Sequence, residues 1–203
     1  MDLGFILDSS GSLRNEYGKE KDFLKALAST FDMKSGASRI GVVTFSYYTE
    51  YSVKLKDHSD IHAFSKAVDK IPLMGSTTRI DKALRLAQNE LFAPENGGRK
   101  GVTRVLILLT DGSQTKDVGA EDPGDIAKEL RESGIKLLTV GIGKGVNQTE
   151  LSILAGDASN LYSADSFDEL ISRQFLDTVN KAGCNKGNHL VYFLHLMHAS
   201  IIF

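Results

Sequence analysis

The stretch Leu3-Gly4-Phe5-Ile6-Leu7-Asp8-Ser9-Ser10-Gly11-Ser12 decides the fold. An apolar run gives way at once to an acid, three serines and a glycine. A run this short, bounded by turn residues, reads as a strand buried on both faces. Such strands belong to parallel sheets covered by helices on both sides. Ligands bind such sheets beyond the carboxyl ends of the strands. The chemistry is therefore expected where the first strand ends, at Asp8.

The rest of the chain repeats this alternation. Residues 39–45, 105–109 and 137–142 read as further buried strands, and Leu161-Tyr162 begins a short last one. Residues 51–55 follow residues 39–45 after a tight polar turn and read as an edge strand. Helical spacing separates these runs: Phe23, Leu24, Leu27 and Phe31; Ile61, Phe64, Val68 and Ile71; Ile80, Ala83, Leu84, Ala87 and Leu91. Asp122-Pro123 opens another helix through Leu130, with Gly134 ending it. Asn147-Gln148-Thr149-Glu150 can cap a short helix, and Ser166-Phe167-Asp168-Glu169 is a capping box ahead of Leu170, Ile171 and Val179. Strands alternating with helices give a doubly wound α/β fold with a mainly parallel sheet.

Composition narrows the function. In 203 residues, 41% are hydrophobic and 25% charged, which excludes a disordered or collagen-like chain. Lys plus Arg is 24 against 26 for Asp plus Glu, so no nucleic-acid footprint is visible. Residues 3–7 are too short for a signal-peptide core or a membrane span. A buried strand starting at once suggests an N-terminus trimmed from a longer protein. One domain is expected over residues 1–182, followed by a tail over 183–203. That tail has no acid, and its apolar run 189–203 carries three histidines but is too short to cross a bilayer.

Three loops carry chemistry. Asp8, Ser10 and Ser12 follow the first strand, Thr110-Asp111-Gly112 follows the strand at 105–109, and Gly75-Ser76-Thr77-Thr78 precedes the helix at Ile80. The donors are all hard oxygen, suited to a small divalent cation such as Mg²⁺ rather than zinc or copper. Two carboxylates and neutral hydroxyls leave the cation room for an acidic group from a partner. Asp and Ser after a strand can also simply cap the next helix. Tyr47, Tyr48 and Tyr51 cluster at the hairpin turn, where exposed tyrosines serve as anchors or pack on the edge strand. Gly141-Ile142-Gly143-Lys144-Gly145 lacks the spacing of a phosphate loop. His58 and His62 have no partners of metal-ligand spacing and read as surface residues. Asn147-Gln148-Thr149 is a glycosylation sequon, with Asn147 also a candidate helix cap.

Asp8-x-Ser10-x-Ser12, the later threonine and Thr110-Asp111-Gly112 resemble the metal-ion-dependent adhesion site of von Willebrand factor type A domains. The resemblance covers about residues 2–182 and is greatest to repeats of matrix proteins such as the matrilins and collagen VI chains. It implies a six-stranded sheet of order 3-2-1-4-5-6, helices on both faces, and residues 51–55 as the antiparallel edge. It implies Ser10, Ser12 and Thr78 (with Thr77 as fallback) as metal ligands, and Asp8 and Asp111 as charge partners acting largely through water. Mg²⁺ or Mn²⁺ is the expected cofactor. Tyr47, Tyr48, Arg79 and Gln114 complete the expected ligand face. The implied function is a secreted, extracellular adhesion module, part of a larger chain, that binds a matrix or cell-surface protein through an acidic side chain, without membrane insertion. Alternatives are an intracellular assembly factor of the same fold and a structural module that does not use the metal. An enzyme is not expected: the loops hold no His or Lys, although Lys144 or Arg79 could serve as a cation. Cys184, the single cysteine, sits where matrix relatives carry one half of a disulfide, and its partner is expected upstream of Met1.

Overall fold

β1 (Asp2–Asp8) lies in the middle of a six-stranded sheet of order β3-β2-β1-β4-β5-β6. The computed structural model describes residues 1–143, 145–165 and 179. β2 (Arg39–Phe45) and β4 (Arg104–Thr110) flank β1 in parallel, with Leu7 opposite Thr44 on one side and Leu109 on the other. β5 (Ile135–Ile142) and β6 (Leu161–Ala164) continue the parallel set. β3 (Thr49–Val53) is the one antiparallel strand and pairs with β2.

Every residue of β1 is buried, as an uninterrupted apolar run requires when helices cover both faces. Leu3, Phe5 and Leu7 pack with Phe23, Leu24 and Leu27 of α1 (Tyr17–Ala28) and Phe64 and Val68 of α2 (Ile61–Asp69). Ile6 points to the other face, with α3 (Ile80–Leu86), α4 (Pro123–Glu132) and α5 (Gln148–Ala155). Gly4 lies where α3's continuation crosses the sheet, and a Cβ there would stand 2.3 Å from Leu91 Cδ2.

Two helices are shorter than expected, since α1 ends at Ala28 and α2 at Asp69, before Phe31 and Ile71, and two further elements change form. The edge strand begins at Thr49 and ends at Val53 rather than covering 51–55. Asp57 Oδ2 accepts the Lys54 N–H (2.9 Å) and turns the chain there, while Leu55 leaves the ladder and enters the core. The helix expected from Ile80 to Leu91 is α-helical only to Leu86 and continues as a π-helical turn, Ala87–Leu91. Ala87 and Leu91 remain buried, so the apolar face is continuous through the change. Both expected caps are present: Asp122 accepts the Gly124 N–H and Asn147 accepts those of Thr149 and Glu150. Of the last expected helix only Val179 is described, helical and buried in the α1 side of the core. The rest of that helix, Cys184 with its expected disulfide, the domain limit at 182 and the tail lie outside the described residues.

Candidate metal centre

Parallel register brings the ends of β1 and β4 to one edge, and the loops beyond them are fastened together by backbone hydrogen bonds. Gly75 N–H donates to Ser9 O (2.8 Å) and Gly11 N–H to Ser76 O (2.9 Å), which ties the loop after β1 to the loop before α3. Thr115 N–H donates to Thr78 O (2.8 Å), and Thr78 N–H to Thr115 Oγ1 (3.1 Å), which ties that same loop to the one after β4.

The expected site residues converge on this junction. Ser10 Oγ and Ser12 Oγ lie 3.0 Å apart, and Ser12 Oγ donates to Asp111 Oδ1 at 2.8 Å. Asp8 stands behind them, fully buried; its Oδ1 accepts the Ser10 N–H (2.9 Å) and its Oδ2 accepts Thr110 Oγ1–H (2.6 Å). Thr78 is buried beside Gly112, where a Cβ would stand 3.4 Å from Thr78 Oγ1. Thr77 is exposed, and its carbonyl accepts the Ser46 hydroxyl (2.9 Å), so Thr78 is the threonine whose side chain meets the Asp111 turn.

Burial pushes the Asp8 carboxyl up to about 6, against the opposing hydrogen bonds from Thr110 and Ser10. Burial also raises Asp111. Neither carboxyl has a cationic neighbour among the described residues to favour its charged form. The donors are two carboxylates and three hydroxyls, and no group of three or more His, Cys, Asp or Glu gathers among the described residues. A hard divalent cation with retained waters fits this set, whereas a nitrogen- or sulfur-seeking one finds no ligands of its kind.

The remaining expected residues divide. Tyr47 and Tyr48 stand exposed at the β2–β3 turn, 38% and 73% accessible, with rings edge to face at 4.9 Å. Lys82 Nζ sits 4.1 Å from the centre of the Tyr47 ring. Arg79 and Gln114 instead turn inward. Arg79 grips Asp81 through Nε (2.8 Å) and Nη2 (2.6 Å) and reaches Asp117 with Nη1 (2.8 Å). Gln114 Nε2 donates to Asp81 Oδ1 at 2.8 Å, and Gln114 Oε1 accepts the Asp81 N–H. These two residues clamp the loop after β4 onto the start of α3. Lys144, the other cation considered, lies outside the described residues.

Glu20 was not among the expected site residues. Its Oε1 accepts the Asp8 N–H from beneath (3.1 Å), while Oε2 is buried without a partner among the described residues. Burial, and then the neighbouring Asp8, hold this carboxyl well above the usual range. The signal was present: Glu20 lies on the helical face of Tyr17, Phe23, Leu24 and Leu27, an acid at a core position.

The family model for the von Willebrand factor type A domain matches residues 2–176. The collagen alpha-5(VI) chain of Homo sapiens is 32% identical over 170 residues, covering 83% of this chain and 6% of that protein. The von Willebrand factor A domain-containing protein 2 of Xenopus laevis is 30% identical over 171 residues, covering 84% and 21%. The solved structure of proximal thread matrix protein 1 from the mussel byssus, with a zinc-occupied metal-ion-dependent adhesion site, superposes with a TM-score of 0.78 at 30% identity. It covers 89% of this chain and 45% of that one. The chain thus spans less than half the length of each of these proteins, two of which are matrix or collagen proteins by name. With the sheet order, the converging serines and the match over residues 2–176 in agreement, the chain belongs to the von Willebrand factor type A domain family.

Proposed function

We propose that this domain is an extracellular adhesion module that binds an acidic group of a matrix or cell-surface protein through Mg²⁺ or Mn²⁺. The observation that carries the reading is the continuous row of oxygens from Ser10 Oγ through Ser12 Oγ to Asp111 Oδ1, with buried Asp8 behind it and no neighbouring cation among the described residues. Ser10, Ser12 and Thr78 would hold the cation, and Asp8 and Asp111 would supply charge through water. A cation held there would supply positive charge for a carboxylate of the partner.

The chain's own residues prepare that arrangement. Thr110 and the Ser10 N–H fix both Asp8 oxygens, so the carboxylate does not need to reorganise. The Arg79–Asp81–Gln114 clamp holds the loop bearing Asp111 against Thr78. Tyr47 and Tyr48 offer an apolar contact near the same edge of the sheet, with Lys82 beside them to meet negative charge. The zinc-occupied site of the mussel protein supports cation binding by loops of this kind, and the collagen VI likeness supports a matrix setting. A binding role, rather than an enzymatic one, is supported by the engagement of Arg79, whose guanidinium is held by Asp81 and Asp117.

The test is solid-phase binding of the chain to immobilised matrix proteins in Mg²⁺ and in EDTA. Binding should be lost in EDTA, return with Mg²⁺, and be absent in Asp8→Ala at every Mg²⁺ concentration. Equal binding by Asp8→Ala, or binding indifferent to EDTA, would contradict the proposal.

A further inference from the structure

Asn147-Gln148-Thr149 is the only Asn-x-Ser/Thr triplet in the 203 residues, and its middle residue is not proline. The metal site makes no use of it. Asn147 and Thr149 are both exposed, at the start of α5. The Asn147 carbonyl accepts the Leu151 N–H (3.0 Å), and its side chain does structural work with one atom only. Its Oδ1 accepts the N–H groups of Thr149 (3.1 Å) and Glu150 (3.2 Å), which caps the helix. Its Nδ2 has no partner among the described residues, and the cap does not need it. A substituent on Nδ2 therefore leaves both cap bonds in place.

We propose that Asn147 Nδ2 carries an N-linked glycan, an inference that rests on the extracellular reading above. In the transfer, Nδ2 displaces a lipid diphosphate from the anomeric carbon of a lipid-linked oligosaccharide. The new C–N bond replaces the C–O bond, whose electron pair leaves with the diphosphate, and Nδ2 gives up one proton. No oxidation or reduction occurs.

The position gives the glycan a consequence. Asn147 follows β5 at the same edge of the sheet as the metal loops. Gln114 N–H donates to Glu150 Oε1 (2.8 Å), and a Cβ on Gly145 would stand 3.1 Å from Asp111 O, so this segment packs against the loop bearing Asp111. A cleft of about 490 Å³ opens beside it, lined by Thr149, Pro123 and Ile153, the last 55% exposed. The first sugars would lie over that cleft. They would flank the metal face on its α5 side and leave the side of Tyr47 and Tyr48 open to a partner.

The full chain behind a cleavable secretory leader, made in mammalian cells, tests this by intact mass and peptide mapping before and after glycan-releasing amidase. One glycan at Asn147 is expected, lost in Asn147→Asp and Thr149→Ala and retained in Thr149→Ser. Asn147→Asp keeps Oδ1 and so keeps the cap, which separates loss of the glycan from loss of the fold. If secretion is poor, the pool retained in the cells is mapped instead. Unmodified Asn147 in wild-type chain from either pool overturns the proposal. Mg²⁺ titration of the same material separates the two readings. Bound Mg²⁺ without a glycan sinks only the glycan, and a glycan without Mg²⁺ binding sinks only the metal site.

Discussion

Asp8 is a carboxylate that the metal-free protein holds at a disadvantage. Burial raises it from 3.8 to about 6, so the folded chain keeps its proton where the unfolded chain releases it. Its contribution to stability is therefore full below about pH 4 and is lost as the pH rises through about 6. At neutral pH this amounts to roughly 3 kcal/mol at 1.36 kcal/mol per unit. Asp8→Asn removes the burdened charge. In EDTA at neutral pH the variant should unfold at the same urea concentration as wild type or higher, and in Mg²⁺ only wild type should gain stability. A variant that is several kcal/mol weaker in EDTA would contradict this account of Asp8. The sequence named Asp8, Ser10, Ser12, Thr78 and Asp111 from the strand ends and the family resemblance, and the fold brings these five to one junction. The sequence did not locate Glu20, whose role depends on α1 lying directly under the end of β1. Arg79 and Gln114 were misplaced for a related reason. Whether a polar side chain faces in or out depends on a partner, here Asp81 for both, held by a loop that folds back from beyond β4.

At the scale of elements, the start of α3 and the loop after β4 behave as one unit. Burial pushes Asp81 upward, yet the hydrogen bonds from Arg79, Gln114 and the Glu121 and Lys82 backbone outweigh it and lower the carboxyl to about 2. With the folded value below the unfolded 3.8, the stabilisation is present above about pH 4 and lost as the pH falls to about 2. It is worth about 2 kcal/mol. Asp81→Asn should therefore be less stable than wild type at neutral pH, by about that amount or more, since Arg79 loses its charge partner. The gap should narrow between about pH 4 and pH 2 in urea titrations; a constant gap would mean that Asp81 does not ionise against Arg79. The buried strands themselves were legible, since an apolar run bounded by turn residues has few other readings. The edge strand was less so. With one weakly patterned face, its register rests on where the Asp57 hydrogen bond to Lys54 N–H ends the pairing. The π-helical turn at Ala87–Leu91 left the apolar spacing intact, so the residue pattern carried no trace of it.

At the scale of the whole molecule, the sheet order is what makes a site. β1 at the centre and β4 beside it place Asp8 and Asp111, 103 positions apart in sequence, at one edge, and the loop before α3 closes the gap between them. A cation that binds there and not to the unfolded chain should, at a hundred times its dissociation constant, add about 2.7 kcal/mol of stability. The most direct measurement is calorimetric titration of the metal-free chain with Mn²⁺ at neutral pH, beside Asp8→Ala under the same conditions. Wild type should take up one cation per chain saturably, in competition with Mg²⁺, and the variant should take up none. No uptake by folded wild type, or equal uptake by Asp8→Ala, would contradict the proposed cation site.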